Sequence, residues 1–252
     1  MTHTIELCTL MPPLPVDRGE ADLHAIEINP RNQPALDPLT AHKAGALHTA
    51  RCWPVGATLR VAFLEGERSV QERVAAIAQE WTAHANLTFS FTNDPDAEIR
   101  IAFGRHAGSW SYLGTDSTLP GLRGRASMNL GWLQPNTSAT EYRRVVLHEF
   151  GHALGLVHEH LSPAAQLPWN VAAVLAYYRT TNGWNDEYTR SNVLDPAPVN
   201  RSTPFDPQSI MLYPVPAELL LDPTAAIPWS NSELSALDKA FIRTVYPFAA
   251  AR

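Results

Sequence analysis

The chain has 252 residues and is 45% hydrophobic, enough to bury a large core as one domain with at most a modest extension. Its formal charge of −6 and isoelectric point near 5.9 argue against nucleic acid or an anionic membrane surface as the natural partner. No stretch approaches the roughly 18 apolar residues of a membrane-crossing helix, and two cysteines, Cys8 and Cys52, are too few for a disulfide-built scaffold.

Met1 to Cys8 contains neither a basic leader nor an apolar run, so no secretory signal is visible. Cytoplasmic residence, export by another route and prior removal of a leader all remain open. Pro12, Pro13, Pro15, Pro30, Pro34 and Pro38 interrupt residues 1–49, and neither a helical nor a strand period persists there. This stretch reads as an extended N-terminal arm and a candidate pro-segment, with the compact domain over 50–252 beginning at Arg51-Cys52-Trp53-Pro54. Thr58 to Leu64 alternates as a strand, with Leu59, Val61 and Phe63 on one face. Ser69 with Glu72 reads as a capping box opening an amphipathic helix, whose Val70, Val74, Ile77, Ala78 and Trp81 belong to the core. Leu87 to Phe91 and Glu98 to Phe103 read as strands around a turn at Asp94-Pro95-Asp96. Ser109 to Gly114 and Arg125 to Leu133 are further strand candidates, and the β-α-β-β-β order implies a mixed sheet. A second capping box, Ser138 with Glu141, starts a helix of about 17 residues ending at Gly155. Trp169 to Arg179 is a helix candidate. Residues 195–228 hold eight prolines and read mainly as loop, and Ser230 with Glu233 is expected to cap a last helix.

The helix after Ser138 carries the chemistry. His148 and His152 stand four apart, hence on one helical face and within reach of one metal ion. Glu149 projects beside them, where it can take a proton from water activated by the metal. Gly155 is the residue type that ends a helix through a left-handed turn, which brings His158 back as a third ligand. Five fixed positions of this kind arise by chance in roughly one chain in ten thousand of this length. The neighbours Val145, Val146, Leu147, Phe150, Ala153, Leu154, Leu156 and Val157 are apolar. A buried helix has no inexpensive way to leave three imidazoles and a carboxylate unpartnered, and a shared metal satisfies the rings together. His160 lies outside the pattern and receives no role.

The elongated motif, joined by Ser209-Ile210-Met211-Leu212-Tyr213, resembles the metzincin metalloendopeptidases and, more narrowly, the astacin family. Arg51-Cys52-Trp53-Pro54 and Gly155-Leu156-Val157-His158-Glu159 support the narrower likeness, which covers roughly residues 51–248. The resemblance implies an α+β, two-lobed metzincin fold, in which a twisted mixed sheet and the active-site helix sit above an irregular C-terminal lobe. It implies one catalytic zinc ion held by His148, His152 and His158, with Glu149 as general base and later acid. Met211 would form the apolar floor under the metal. Tyr213 would match the tyrosine that ligates zinc and swings away to stabilise the tetrahedral intermediate. Glu159 would match the residue that pairs with the new N-terminus after propeptide removal. Arg125 to Leu133 would supply the edge strand that pairs with an extended peptide substrate. Leu212 stands where the family usually carries His, the family's paired disulfides cannot form, and the familiar aspartate-switch propeptide is not recognisable around Asp17 or Asp22.

Cys8, in its proline-flanked stretch, suggests a latency device, because a thiolate is a strong zinc ligand able to occupy the open metal position. An ordinary free thiol and a Cys8–Cys52 disulfide are the competing readings. The leading expectation is a zinc metalloendopeptidase acting on extended peptide or protein chains, with a monomer as the default state. A zincin with a distant Glu as third ligand, a catalytically silent zinc-binding module on the same fold, and a maturation protease for one specific partner are the alternatives.

Overall fold

One six-stranded sheet organises the molecule, and its outermost strand comes from the N-terminal arm. In the computed structural model the described residues are 8–11, 18–33, 50–196, 203–228 and 231–249. The strands are β1 (Cys8–Met11), β2 (Thr58–Phe63), β3 (Thr88–Thr92), β4 (Ile99–Ala102), β5 (Ser109–Tyr112) and β6 (Met128–Leu130), in spatial order β1-β5-β6-β4-β2-β3. All neighbouring pairs are parallel except β5–β6, so the sheet is mixed as expected. Among the described residues no helix is long and apolar enough to cross a membrane.

Two expectations about this sheet need correction. The N-terminal stretch is not featureless: it supplies β1, and it forms a helix α1 (Arg18–Ile28). The register of β1 is Cys8 opposite Ser109 and Met11 opposite Tyr112. Nor is the 125–133 stretch an edge. Its strand β6 lies inside the sheet between β5 and β4, and β5 is the outer strand of the remaining five.

The N-terminal helix is anchored by polar groups more than by apolar area. Ala21 and Ala25 are buried, and Asp22 pairs at 2.7 Å with Arg51, which also meets Asp116 at 2.6 Å. Asn29 Nδ2 donates to the carbonyls of Cys52 and Trp53, and Asn32 exchanges bonds with both the carbonyl and the N–H of Cys52. These clamps join residues 29–32 to residues 52–53. The intervening residues 34–49 lie outside the described residues.

Helix α2 (Arg68–Ala78) turns Val70, Val74 and Ala78 onto the sheet, then tightens into a 3-10 turn that buries Trp81. Glu67, not Ser69, is at its N-cap, and no side chain caps it. Helix α3 (Ala139–Ala153) starts at Ser138, whose side chain accepts from the N–H of Glu141, as the sequence implied. Its Phe150 meets Phe89 of the sheet edge-to-face at 5.2 Å. The last two turns of α3 are held from outside: Trp81 Nε1 donates to the Leu147 carbonyl, Trp53 Nε1 to that of Ala153, and the Tyr246 hydroxyl to that of Leu154. Such bonds satisfy carbonyls that a buried helix end otherwise leaves orphaned.

After Gly155 the chain forms the second, largely irregular lobe. It contains α4 (Val171–Asn182), α5 (Asp186–Thr189), a π-helical segment at Arg190–Leu194, and the closing helix α6 (Ala236–Val245). Helix α6 is capped not by Ser230, which lies outside the described residues, but by a full capping box of Ser235 and Asp238. The architecture is the two-lobed metzincin fold that the motif implied.

Candidate metal centre

Three imidazoles meet at the end of α3. His148 and His152 follow one another on its inner face, and Gly155, at φ +92°, turns the chain so that His158 returns to the same point. A side chain is excluded at Gly155 twice over. The φ is strained for an L residue, and a Cβ would come within 3.3 Å of the Arg51 carbonyl. The Nε2 atom of His152 lies 3.1 Å from that of His148 and 3.0 Å from that of His158.

Two of the remaining ring nitrogens are anchored. His148 Nδ1 donates to the Ile210 carbonyl at 2.8 Å, and His152 Nδ1 to the Leu156 carbonyl at 2.7 Å. In these two rings Nδ1 therefore carries the proton and Nε2 points a lone pair inward. The Nδ1 of His158 is buried without a partner among the described residues. Burial holds all three imidazoles below their ordinary value, His152 at about 4, so they are neutral and able to ligate. Converging lone pairs repel unless a cation sits among them. Nitrogens bound to one zinc at ~2.0–2.1 Å in a tetrahedral array stand ~3.4 Å apart, close to the spacing observed. Among the described residues, these three form the cluster of side chains able to hold a metal, and the donor set fits zinc.

Glu149 is fully buried beside the triad. Neither carboxylate oxygen has a nitrogen or oxygen partner among the described residues, and the Cys8 thiol faces it. Burial pushes this carboxyl up to about 8, against smaller lowering effects from Cys8 and Arg144. The same burial, with Glu149 adding to it, pushes the Cys8 thiol well above its ordinary value. Cys8, Arg144, His148 and Tyr213 line a cavity of about 20 Å³, room for a single water. Strand β1 thus brings Cys8 to the site. Cys8 and Cys52 are not joined in a disulfide; Cys52 sits elsewhere, against Gly155 and Tyr246.

The floor comes from the 209–213 turn. Met211 is buried, its thioether packed so closely on α3 that only a glycine fits at 151. The turn is tied down by Asp238, whose carboxylate accepts from the Ser209 hydroxyl and the Ile210 N–H, each at 2.8 Å. That bond fixes the carbonyl that orients His148. Sequence reasoning missed Asp238, although Ser235-x-x-Asp238 at the head of the last helix is a legible capping pattern. Tyr213 lies with its ring centroid 4.1 Å from His158 and 5.9 Å from His148, and its buried hydroxyl has no partner among the described residues. Glu159 is turned away from the triad. Its Oε1 accepts from the Asp206 N–H, and burial pushes its carboxyl up to about 7. It borders a cavity of about 370 Å³ lined also by Asn32, Ala50, Cys52 and Asp206.

Known proteins share this arrangement. The matrixin peptidase family profile matches residues 61–172. The solved structure of myroilysin is 39% identical, with a TM-score of 0.74, and the match covers 79% of this chain and 97% of that one. Matrix metalloproteinase-2 of Drosophila melanogaster is 29% identical over 116 residues, which are 40% of this chain and 15% of that protein. Zinc metalloproteinase nas-24 of Caenorhabditis elegans is 27% identical over 109 residues, 43% of this chain and 26% of that protein. The chain therefore spans only a minor part of these two longer relatives. Fold, triad and relatives agree on one class of protein. The chain belongs to the metzincin metalloproteases.

Proposed function

We propose that the protein is an astacin-like zinc endopeptidase that cuts extended peptide or protein chains and is made in a latent form. The observation carrying the reading is the buried, unpaired carboxylate of Glu149 beside three imidazoles whose lone pairs converge. His148, His152 and His158 hold the ion. When bound, zinc supplies Lewis acidity, which makes water acidic near neutral pH and polarises a carbonyl. Glu149 accepts the proton of the attacking water and delivers it to the leaving amine nitrogen as the C–N bond breaks. The Tyr213 hydroxyl, which has no partner among the described residues, donates to the oxyanion of the tetrahedral intermediate. The substrate backbone pairs with the side of β5 on which β1 now lies.

Latency follows from the same placement. Strand β1 carries Cys8 against Glu149 and into the small cavity that His148 and Tyr213 line; on losing its proton to a bound ion, its sulfur would take the position that water needs. A cut within 34–49 would then free an N-terminus next to the cavity that Glu159 borders. The deciding experiment measures zinc content and quenched-peptide cleavage on three full-length chains. Glu149→Gln is expected to keep one zinc and lose ~10²–10⁴-fold in turnover, and full activity in it would refute the base assignment. Cys8→Ala is expected to cleave peptide without processing, and activity equal to the unprocessed parent would sink the latency reading.

A further inference from the structure

His160 is a buried residue that the metal site does not use. Its ring is buried. Nε2 donates to the Asn192 carbonyl at 3.1 Å, inside the π-helical segment Arg190–Leu194. Nδ1 is buried and has no partner among the described residues. Such an orphan costs ~1–3 kcal/mol, which a phenylalanine of similar size would avoid. Packing alone thus gives no reason for a histidine here. What the ring touches does. Tyr213 lies against it, centroids 4.7 Å apart and planes within 24°, and Tyr213 also meets His158 at 4.1 Å and His148 at 5.9 Å.

We propose that His160 is the positioning residue for Tyr213: anchored to the Asn192 carbonyl, its ring stacks on that of the proposed zinc ligand His158, centroids 5.2 Å apart, and the two rings form a corner in which Tyr213 rests. A phenol seated in that corner reaches the reacting oxygen without a search over rotamers. Phenylalanine at 160 would supply the wall without the anchor, and glutamine would supply a hydrogen-bonding group without the wall. The anchor lies on a π segment, a helix irregularity frequently found at functional sites. This inference rests on the proposed role of Tyr213 at the metal, so its test separates the two.

The test uses the full-length chain with Cys8→Ala, so that no thiolate competes, loaded with Cu(II) in place of zinc. The readout is phenolate-to-copper charge-transfer absorption. A band that Tyr213→Phe abolishes is expected. His160→Gln should bind one copper but lose most of that band, and His160→Phe should fall between. On the zinc form, His160→Gln is expected to lower kcat ~10-fold with KM within about twofold. It should cost nothing further once Tyr213→Phe is present, because the two act as a unit. An unchanged band in His160→Gln, or kinetic effects that multiply in the double variant, overturns the positioning role alone. A parent chain without a Tyr213-dependent band removes Tyr213 from the metal and overturns both.

Discussion

Gly151→Ala is the sharpest probe of how the metal helix is seated. A Cβ at this position would lie 2.3 Å from Met211 Sδ, 3.2 Å from Met211 Cε and 3.3 Å from Trp81 Cζ2. Comfortable carbon–heavy-atom contact is ~3.5–4.0 Å, so the thioether must retreat by well over 1 Å. Trp81 cannot yield, since it is fully buried and its indole N–H is held by the Leu147 carbonyl. Met211 is flexible in its side chain but pinned in its backbone. Its carbonyl accepts from the Glu159 N–H at 2.9 Å, and its own N–H donates to the Ser209 hydroxyl. In an unobstructed helix, alanine would gain ~1 kcal/mol over glycine. Overpacking costs ~1–3 kcal/mol, so the expected net effect is a loss of up to ~2 kcal/mol. The strain falls on the turn whose Ile210 carbonyl orients His148, so zinc affinity should fall as well. Urea unfolding of the zinc-loaded chain and chelator competition measure the two effects. In a Met211→Ala background the two shortest contacts are gone and only Trp81 Cζ2 at 3.3 Å remains, so the same substitution should become neutral to stabilising, by at most ~1 kcal/mol. A Gly151→Ala variant that is equally stabilised whatever occupies 211 would refute the reasoning.

Arg100 is a buried cation whose guanidinium donates to the carbonyls of Ala97, Ser117, Leu122 and Arg125, so it organises the 97–125 loops from within. Arg100→Met should cost ~3–5 kcal/mol in thermal or urea unfolding, with Arg100→Lys recovering little, because a single ammonium lacks the planar fork; a loss below ~1 kcal/mol would contradict this account. Asp116, which burial pushes up from 3.8 to about 6 against the pull of Arg51, takes up a proton on folding across that window. Its contribution therefore grows as pH falls from about 6 towards 4 and is lost as pH rises again, by at most ~3 kcal/mol. The unfolding free energy of Asp116→Asn minus that of the parent should change with pH over this range, and a constant difference would count against the assignment.

What the sequence disclosed depended on how local the cause was. The triad was readable because two ligands are fixed by the helical repeat and the third by the turn at Gly155. Strands β2 to β5 were readable because β-branched and aromatic residues alternate over a few positions. Helix α1 was missed because its buried side chains, Ala21 and Ala25, are too small to print an apolar period. Strand β1 was missed because its reason for being extended is a partner about 100 residues away. The capping box assigned to Ser69 failed because the helix starts two residues earlier, with Glu67 at its cap. The cap assigned to Ser230 failed because Ser235 offers a complete box nearer the apolar face. His160 went unassigned because its partners, Tyr213 and Asn192, arrive from elements that no spacing rule connects to it.

The placement of β1 ties stability, latency and substrate binding to the same hydrogen bonds. An outer strand such as β5 presents unpaired backbone groups, which proteins keep short or cover. Here four residues of the chain's own N-terminal segment cover it and carry Cys8 to Glu149 in the same stroke. On the reading proposed above, an extended substrate needs those same β5 groups, so it competes with a tethered rival. A short tether holds its strand at an effective concentration of about millimolar, and the Asp22–Arg51–Asp116 and Asn29–Asn32 clamps add to that. Removing the Cys8 thiol frees the metal position but leaves β1 competing with substrate for β5, so unprocessed Cys8→Ala is expected to be only partly active; cutting within 34–49 breaks the covalent link while the clamps persist. Full opening of the cleft therefore requires losing both the covalent link and the polar clamps on α1, which places control of activity in residues remote from the metal.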